Sequence, residues 1–268
     1  FHRAADTGGA VIGLLIAALA VWLAQSSSQK LGENTFRTVV LISLVPAFLA
    51  VLSLALGAVD IKKRGDAEVP KITVKGLGKP FITFLVIVGL FDLGNSSDAF
   101  LVLRAQERGM SIIGILLMLA TFNLVYALVS TPAGSLSDRI GRKKLIIGGW
   151  VVYGLIYLGF ALAKQPWHVW ELYLTYGLYY GMAYGTAKAM VADLVPSELR
   201  GTAYGTYNAI LGIIDFPASL IAGLLWQGVG GWEGFGPSAP FLFGGALAFL
   251  AALLMYLWQP KAQMEKTA

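Results

Sequence analysis

Cysteine is absent from all 268 residues, so neither a disulfide framework nor a thiolate metal site can form. Histidine occurs only at His2 and His168, which leaves no histidine pair for a metal centre and no evident nucleophile and base. Charge is scarce too: Asp, Glu, Lys and Arg make up 13% of the chain, about half the share of a soluble domain. Strict apolar/polar alternation is missing, which argues against a membrane β-barrel of ten-residue strands. No nucleotide-binding motif occurs that could power work by hydrolysis.

What the chain does have is apolar surface, at 57% hydrophobic residues and a mean hydropathy of +0.70. A water-soluble fold of this composition would expose too much of it. The apolar residues fall into eight blocks, at roughly 5–24, 38–59, 81–103, 111–136, 145–163, 169–195, 203–227 and 240–258. Each approaches or exceeds the ~20 helical residues that cross a bilayer. The expected fold class is all-α, a polytopic bundle of eight transmembrane helices.

A formal charge of +5 could point to nucleic acid, but the basic residues follow the sides of a membrane. With the N-terminus taken as cytoplasmic, fourteen lie on that side, including Lys62, Lys63, Arg64, Arg139, Arg142, Lys143 and Lys144. Five lie on the other (Lys30, Arg37, Arg104, Arg108 and Lys164), and Lys188 stands inside a block. That bias predicts cytoplasmic termini and no nucleic-acid partner. Trp22, Trp150, Trp167, Trp170, Trp226 and Trp258 fall near block ends, as interfacial anchors do.

The one long hydrophilic connection, 60–80, carries Lys62-Lys63-Arg64 and Pro70 and reads as a linker. It divides the chain into 1–59 with two helices, the cytoplasmic linker 60–80, a six-helix half at 81–259 and a cytoplasmic tail at 260–268. If the halves are equivalent, four helices belong before position 1, and Phe1 in place of Met reads as a truncated start. Residues 1–15 also lie without gaps over 207–221, a weak internal repeat.

Polar residues at depth are distributed with a period of three helices. Blocks 38–59, 145–163 and 240–258 hold no charged or amide side chain in their interiors and are expected to be lipid-facing packing. The other five hold Asp6, Asp92, Asn95, Asp98, Asn123, Lys188, Asn208 and Asp215. A charge at mid-membrane costs about 2.5–3.5 kcal/mol on insertion scales, so these residues are expected to face a wet cavity or the bundle interior.

Between the fourth and fifth blocks stands Gly134-Ser135-Leu136-Ser137-Asp138-Arg139-Ile140-Gly141-Arg142-Lys143-Lys144. Its glycines permit a tight turn, Asp138 can sit at a neighbouring helix N-terminus, and Arg139, Arg142 and Lys143 can reach carboxylates or lipid phosphates. The segment resembles the signature Gly-x-x-x-Asp-Arg/Lys-x-Gly-Arg-Arg/Lys of the major facilitator superfamily, found in the cytoplasmic loops after the second and eighth helices. That resemblance implies that the eight blocks are helices five to twelve of a twelve-helix transporter. It also implies that the 134–144 loop controls conformation and does not touch substrate. Segment 192–201 is similar to the connection after the tenth helix, and Asp193 there would pair with the loop's arginines or be a solvated helix-end carboxylate. Gly9-x-x-x-Gly13 resembles a glycine-rich antiporter motif that lacks its usual Gly-Pro, and close helix packing is the preferred reading.

The candidate substrate cavity then comprises Asp92, Asn95, Asn123, Tyr180, Tyr184, Lys188, Asn208 and Asp215. Asp92 and Asp215 are central in their blocks, and Pro217 can bend the second of these. Tyr173, Tyr176, Tyr180, Tyr184 and Lys188 share a helical face beside Gly177, Gly181 and Gly185, which let another helix approach. Helix packing explains the tyrosines and asparagines equally well. The implied function is secondary active transport of a small solute, with membrane lipid around it and an ion, the proton being a candidate, as coupling partner. A transporter-like sensor or a non-transporting scaffold is the alternative. Neither an enzyme nor any cofactor or metal is indicated. The setting implied is a plasma membrane, of the bacterial inner-membrane kind.

Overall fold

Long apolar runs can satisfy their backbone groups in hydrocarbon by forming α-helix, and the computed structural model is helical wherever such a run occurs. It describes residues 2–25, 30–57 and 76–259. In chain order come α1 (His2–Gln25), α2 (Glu33–Gly57), α3 (Gly78–Gly94), α4 (Ala99–Glu107), α5 (Ile112–Ile140) and α6 (Arg142–Leu162). They are followed by α7 (Pro166–Tyr179), a π turn (Tyr180–Tyr184), α8 (Gly185–Asp193), a 3₁₀ turn (Ser197–Leu199), α9 (Arg200–Gln227) and α10 (Ala239–Leu257). Among the described residues the only β feature is the isolated bridge Val229–Trp232. Most of the 60–80 linker and the whole 260–268 tail lie outside the described residues.

Seven spans among these residues are long and apolar enough to cross a membrane, giving the expected all-α polytopic bundle. Two of the eight expected blocks are interrupted. Block 81–103 breaks at Asn95–Asp98 into α3 and α4, because four consecutive Asn, Ser and Asp side chains compete with the helical ladder for backbone partners. Block 169–195 is divided by the π turn, so that neither α7 nor α8 is a full span in itself. Elsewhere the boundaries have simple causes. The Ser111 hydroxyl accepts the Gly114 N–H at 3.1 Å to start α5. Pro166 opens α7, where a missing N–H loses nothing.

The centre of the packing is the pair α6 and α10, with α3 against α10 and α7 against both α5 and α6. Small residues make this possible. A Cβ added to Gly154 would stand 2.8 Å from the Phe249 ring, and one on Gly94 would stand 3.1 Å from the Gly244 carbonyl. The charge-free helices therefore divide: α2 is exposed along nearly all its length, whereas α6 and α10 each bury one face in the core and leave only the other free. Lack of charge permits close packing as readily as it permits contact with lipid. Gly9 and Gly13 carry no such contact, since an added Cβ on either would meet nothing within 4 Å among the described residues.

Arg104, counted above as a residue of the outer side, is fully buried. Its Nε donates to the Phe160 carbonyl at 3.0 Å, and Nη2 donates to Ala161 at 2.9 Å and to the Ser238 hydroxyl at 3.2 Å. Nη1 pairs with Glu107 at 2.9 Å. The guanidinium thus occupies the orphan carbonyls at the end of α6 and ties α4 to α6 and to the α9–α10 connection.

Candidate functional site

The polar faces of α3, α7, α8 and α9 enclose, together with Trp150 of α6, a cavity of about 330 Å³. Seven of the eight candidate residues line it: Asp92, Asn95, Tyr180, Tyr184, Lys188, Asn208 and Asp215. Asn123 is not among them; its amide donates to the Leu119 carbonyl of its own helix at 2.9 Å, which a helix in an apolar setting offers to any amide one turn on. The tyrosine stripe splits where the helix widens. Tyr173 and Tyr176 are buried in the core, while Tyr180 and Tyr184, in the π turn, reach the cavity. Gly177 and Gly181 lie against Val125 and Val129 of α5, where an added Cβ would come to 3.0 and 2.7 Å.

Within the cavity the charges are held differently. Asp92 is 8% exposed, and its Oδ2 has no hydrogen-bond partner. Lys188 donates to the Tyr184 hydroxyl at 2.9 Å and lies 4.3 Å from the centre of that ring. Phe91 and Trp150 stack at 4.7 Å with an 8° interplanar angle and form an aromatic wall beside Tyr179 and Tyr207. Trp150 is therefore a core residue and not an interfacial anchor, whereas Trp22 and Trp167 are more than half exposed.

The break in the α3/α4 wall is stitched from three sides. The Tyr153 hydroxyl donates to the Gly94 carbonyl at 3.2 Å, Tyr176 donates to Asp98 Oδ1 at 3.0 Å, and the Ser97 N–H donates to the Ser219 hydroxyl at 3.3 Å. Here a second cavity of about 290 Å³ opens, lined by Asn95 through Asp98 with Ser219, and it shares Asn95, Tyr180 and Asp215 with the first.

At the other end of α5, the 134–144 segment is not a loop. Residues 134–140 continue α5, Gly141 alone turns the chain at φ +94, and Arg142 begins α6. Arg142 pairs with Asp193 at 2.6 Å and approaches Asp138 at 3.7 Å, and it also donates to the Ala189 carbonyl. Lys143 donates to the carbonyls of Tyr256 and Trp258 at the end of α10 and is in no ion pair among the described residues. Gly134, Asp138 and Arg142 line a third cavity of about 240 Å³ between α5 and the π turn, while Arg139 is exposed.

The sequence profile of the Major Facilitator Superfamily matches residues 2–213 and, in a second overlapping alignment, 82–268. The chain belongs to the major facilitator superfamily. Similar proteins include an uncharacterized MFS-type transporter of Methanocaldococcus jannaschii, 35% identical over 95% of this chain and 62% of its own length. Multidrug resistance protein 2 of Bacillus subtilis is 32% identical over 71% of the chain and 44% of its own length. A Na(+), Li(+), K(+)/H(+) antiporter of Planococcus maritimus is 27% identical over 46% and 30% respectively. The chain thus spans under two thirds of the length of each of these relatives. As a major facilitator protein with seven apolar spans among the described residues, it is an integral membrane protein of a transporter family. The signature-like segment turns at Gly141, and Asp92, Asn95, Lys188, Asn208 and Asp215 line a separate cavity.

Proposed function

We propose that this protein works in secondary active transport, moving a small solute through the 330 Å³ cavity by alternating access. The observation that carries the proposal is the convergence of Asp92, Asn95, Tyr180, Tyr184, Lys188, Asn208 and Asp215, from three apolar helical runs, on one space. Such residues are costly at depth unless they face water or a ligand, and binding near mid-span between helices is how transporters of this architecture take substrate. The names of the relatives, an alkali-cation/proton antiporter and a drug-resistance protein, favour ion-coupled exchange and efflux. Asp92 and Asp215 are the proposed carriers of the coupling ion, the proton first among candidates. The Arg142–Asp193 pair with Asp138, Arg139, Gly141 and Lys143 is the proposed conformational switch, on the cytoplasmic side of a plasma membrane with both termini. Lipid covers the apolar outer faces.

Cysteine scanning tests this directly, because no native thiol interferes. Asn208→Cys and Gly212→Cys should react with a membrane-impermeant thiol reagent, and Leu220→Cys, on an apolar exposed face, should not. Lys30→Cys and Lys144→Cys should label from opposite sides of the membrane. Equal labelling at all three α9 positions would remove the cavity, and labelling of 30 and 144 from the same side would remove the orientation. Ligand binding without solute flux in proteoliposomes would instead mark a sensor.

A further inference from the structure

We infer that the cavity takes a zwitterion with an aromatic body, its ammonium toward Asp92 and Asp215 and its acidic group toward Lys188. The inference rests on the cavity being the solute site. Two arginines elsewhere in this protein meet carboxylates directly: Arg142 meets Asp193 at 2.6 Å and Arg104 meets Glu107 at 2.9 Å. The cavity is different. No ion pair within 4.0 Å links Lys188 to Asp92 or Asp215 among the described residues, although all three line the same space.

Each sign is instead left to be satisfied separately. The Lys188 ammonium rests on the hydroxyl and ring face of Tyr184, which supply electron density but no counter-charge. Asp92 presents a buried carboxylate oxygen with no donor, and a buried polar atom left unpaired in a native fold calls for an explanation. A purely cationic solute would serve the carboxylates and leave Lys188 unmatched; a purely anionic one would do the reverse. In the state in which the solute has displaced the coupling ion from the carboxylates, only a solute bearing both groups serves both. The same space is walled by the stacked pair Phe91 and Trp150 with Tyr179, Tyr180 and Tyr207, which favours a planar apolar body. A volume of about 330 Å³ is at the small end of ligand pockets, which run from about 300 to 1,000 Å³, and fits one such molecule.

Three probes of one shape separate the charges: L-tryptophan, tryptamine without the carboxylate, and indole-3-propionate without the ammonium. Binding is read by thermal unfolding and by titration of the full-length protein in nanodiscs. Tryptophan should bind at least ten-fold tighter than either analogue. Lys188→Met should bring tryptophan and tryptamine to equal affinity while keeping the preference over indole-3-propionate, and Asp92→Asn should give the mirror image. General destabilisation cannot produce that exchange of preferences, and Lys188→Gln serves if the Met variant does not fold. Binding of none of the three probes, or equal binding of an analogue to the unaltered protein, overturns the inference. If tryptamine alone binds and Asp92→Asn abolishes it, the zwitterion is refuted while the solute cavity stands. If tryptophan binds and neither variant changes its affinity, the ligand lies elsewhere and both proposals fall.

Discussion

The two polar walls of the cavity interrupt their helices in opposite ways. Between α3 and α4 the ladder is abandoned at Asn95–Asp98; Tyr153 on α6 and Ser219 on α9 take up freed backbone groups, and Tyr176 on α7 holds the Asp98 carboxylate. Between α7 and α8 the ladder is only widened by the π turn Tyr180–Tyr184, which keeps its bonds within the chain and re-aims two tyrosines at the cavity. A broken helix depends on side chains from its neighbours. A π turn is self-sufficient. The first wall is therefore coupled to the rest of the bundle, while the second can rearrange locally.

Substitutions that strip the neighbours should separate the two walls. The largest effect is expected from Arg104→Met, which strips the last carbonyls of α6 of their donor and releases α4 from its anchor, while Glu107 keeps Arg108 at 3.0 Å. Each buried carbonyl left without a donor costs about 1–3 kcal/mol, and more than one loses Arg104 here, so the unfolding midpoint should fall steeply and amides at 99–107 should exchange faster. Tyr153→Phe removes the hydroxyl that serves the buried Gly94 carbonyl, a loss of about 1–3 kcal/mol for an unsatisfied buried group. Exchange at 95–98 should rise with no change at 180–184; an equal rise in both would erase the contrast. The smallest effect is expected from Tyr184→Phe. It deletes only the bond to Lys188 on a residue 44% exposed and keeps the ring, so stability should change by no more than about 0.5–1.5 kcal/mol, with protection of the π turn intact.

The architecture was legible because hydrocarbon leaves a polar backbone few choices, so eight apolar blocks had to be helical. The convergence of Asp92, Lys188 and Asp215 was legible for the same reason, since isolated charges at depth are costly. Asn123 was misjudged because an amide can turn back onto its own helix, an outlet that spacing does not reveal. The break at Asn95–Asp98 did have a signal, four consecutive residues that compete with a ladder, but they read equally well as cavity lining. The π turn had almost none. Arg104 was counted only as a basic residue of the outer side, because its partners are carbonyls more than fifty residues away, which composition cannot register. Trp150 was assigned to the interface from its place near a block end, while its partner Phe91 comes from another helix.

The corner at Gly141 has a mechanical meaning. One residue joins α5 to α6, and neighbouring Cα atoms are about 3.8 Å apart, so the chain there has no slack. Two rods pinned end to end in this way can swivel but cannot part, so any tilt of α5 would be passed to α6 and, through Lys143, to the end of α10. The corner is thus a crank pin. Its sensitivity lies in length more than in charge, and an inserted pair of flexible residues should uncouple the two helices even with every ion pair around Arg142 still in place.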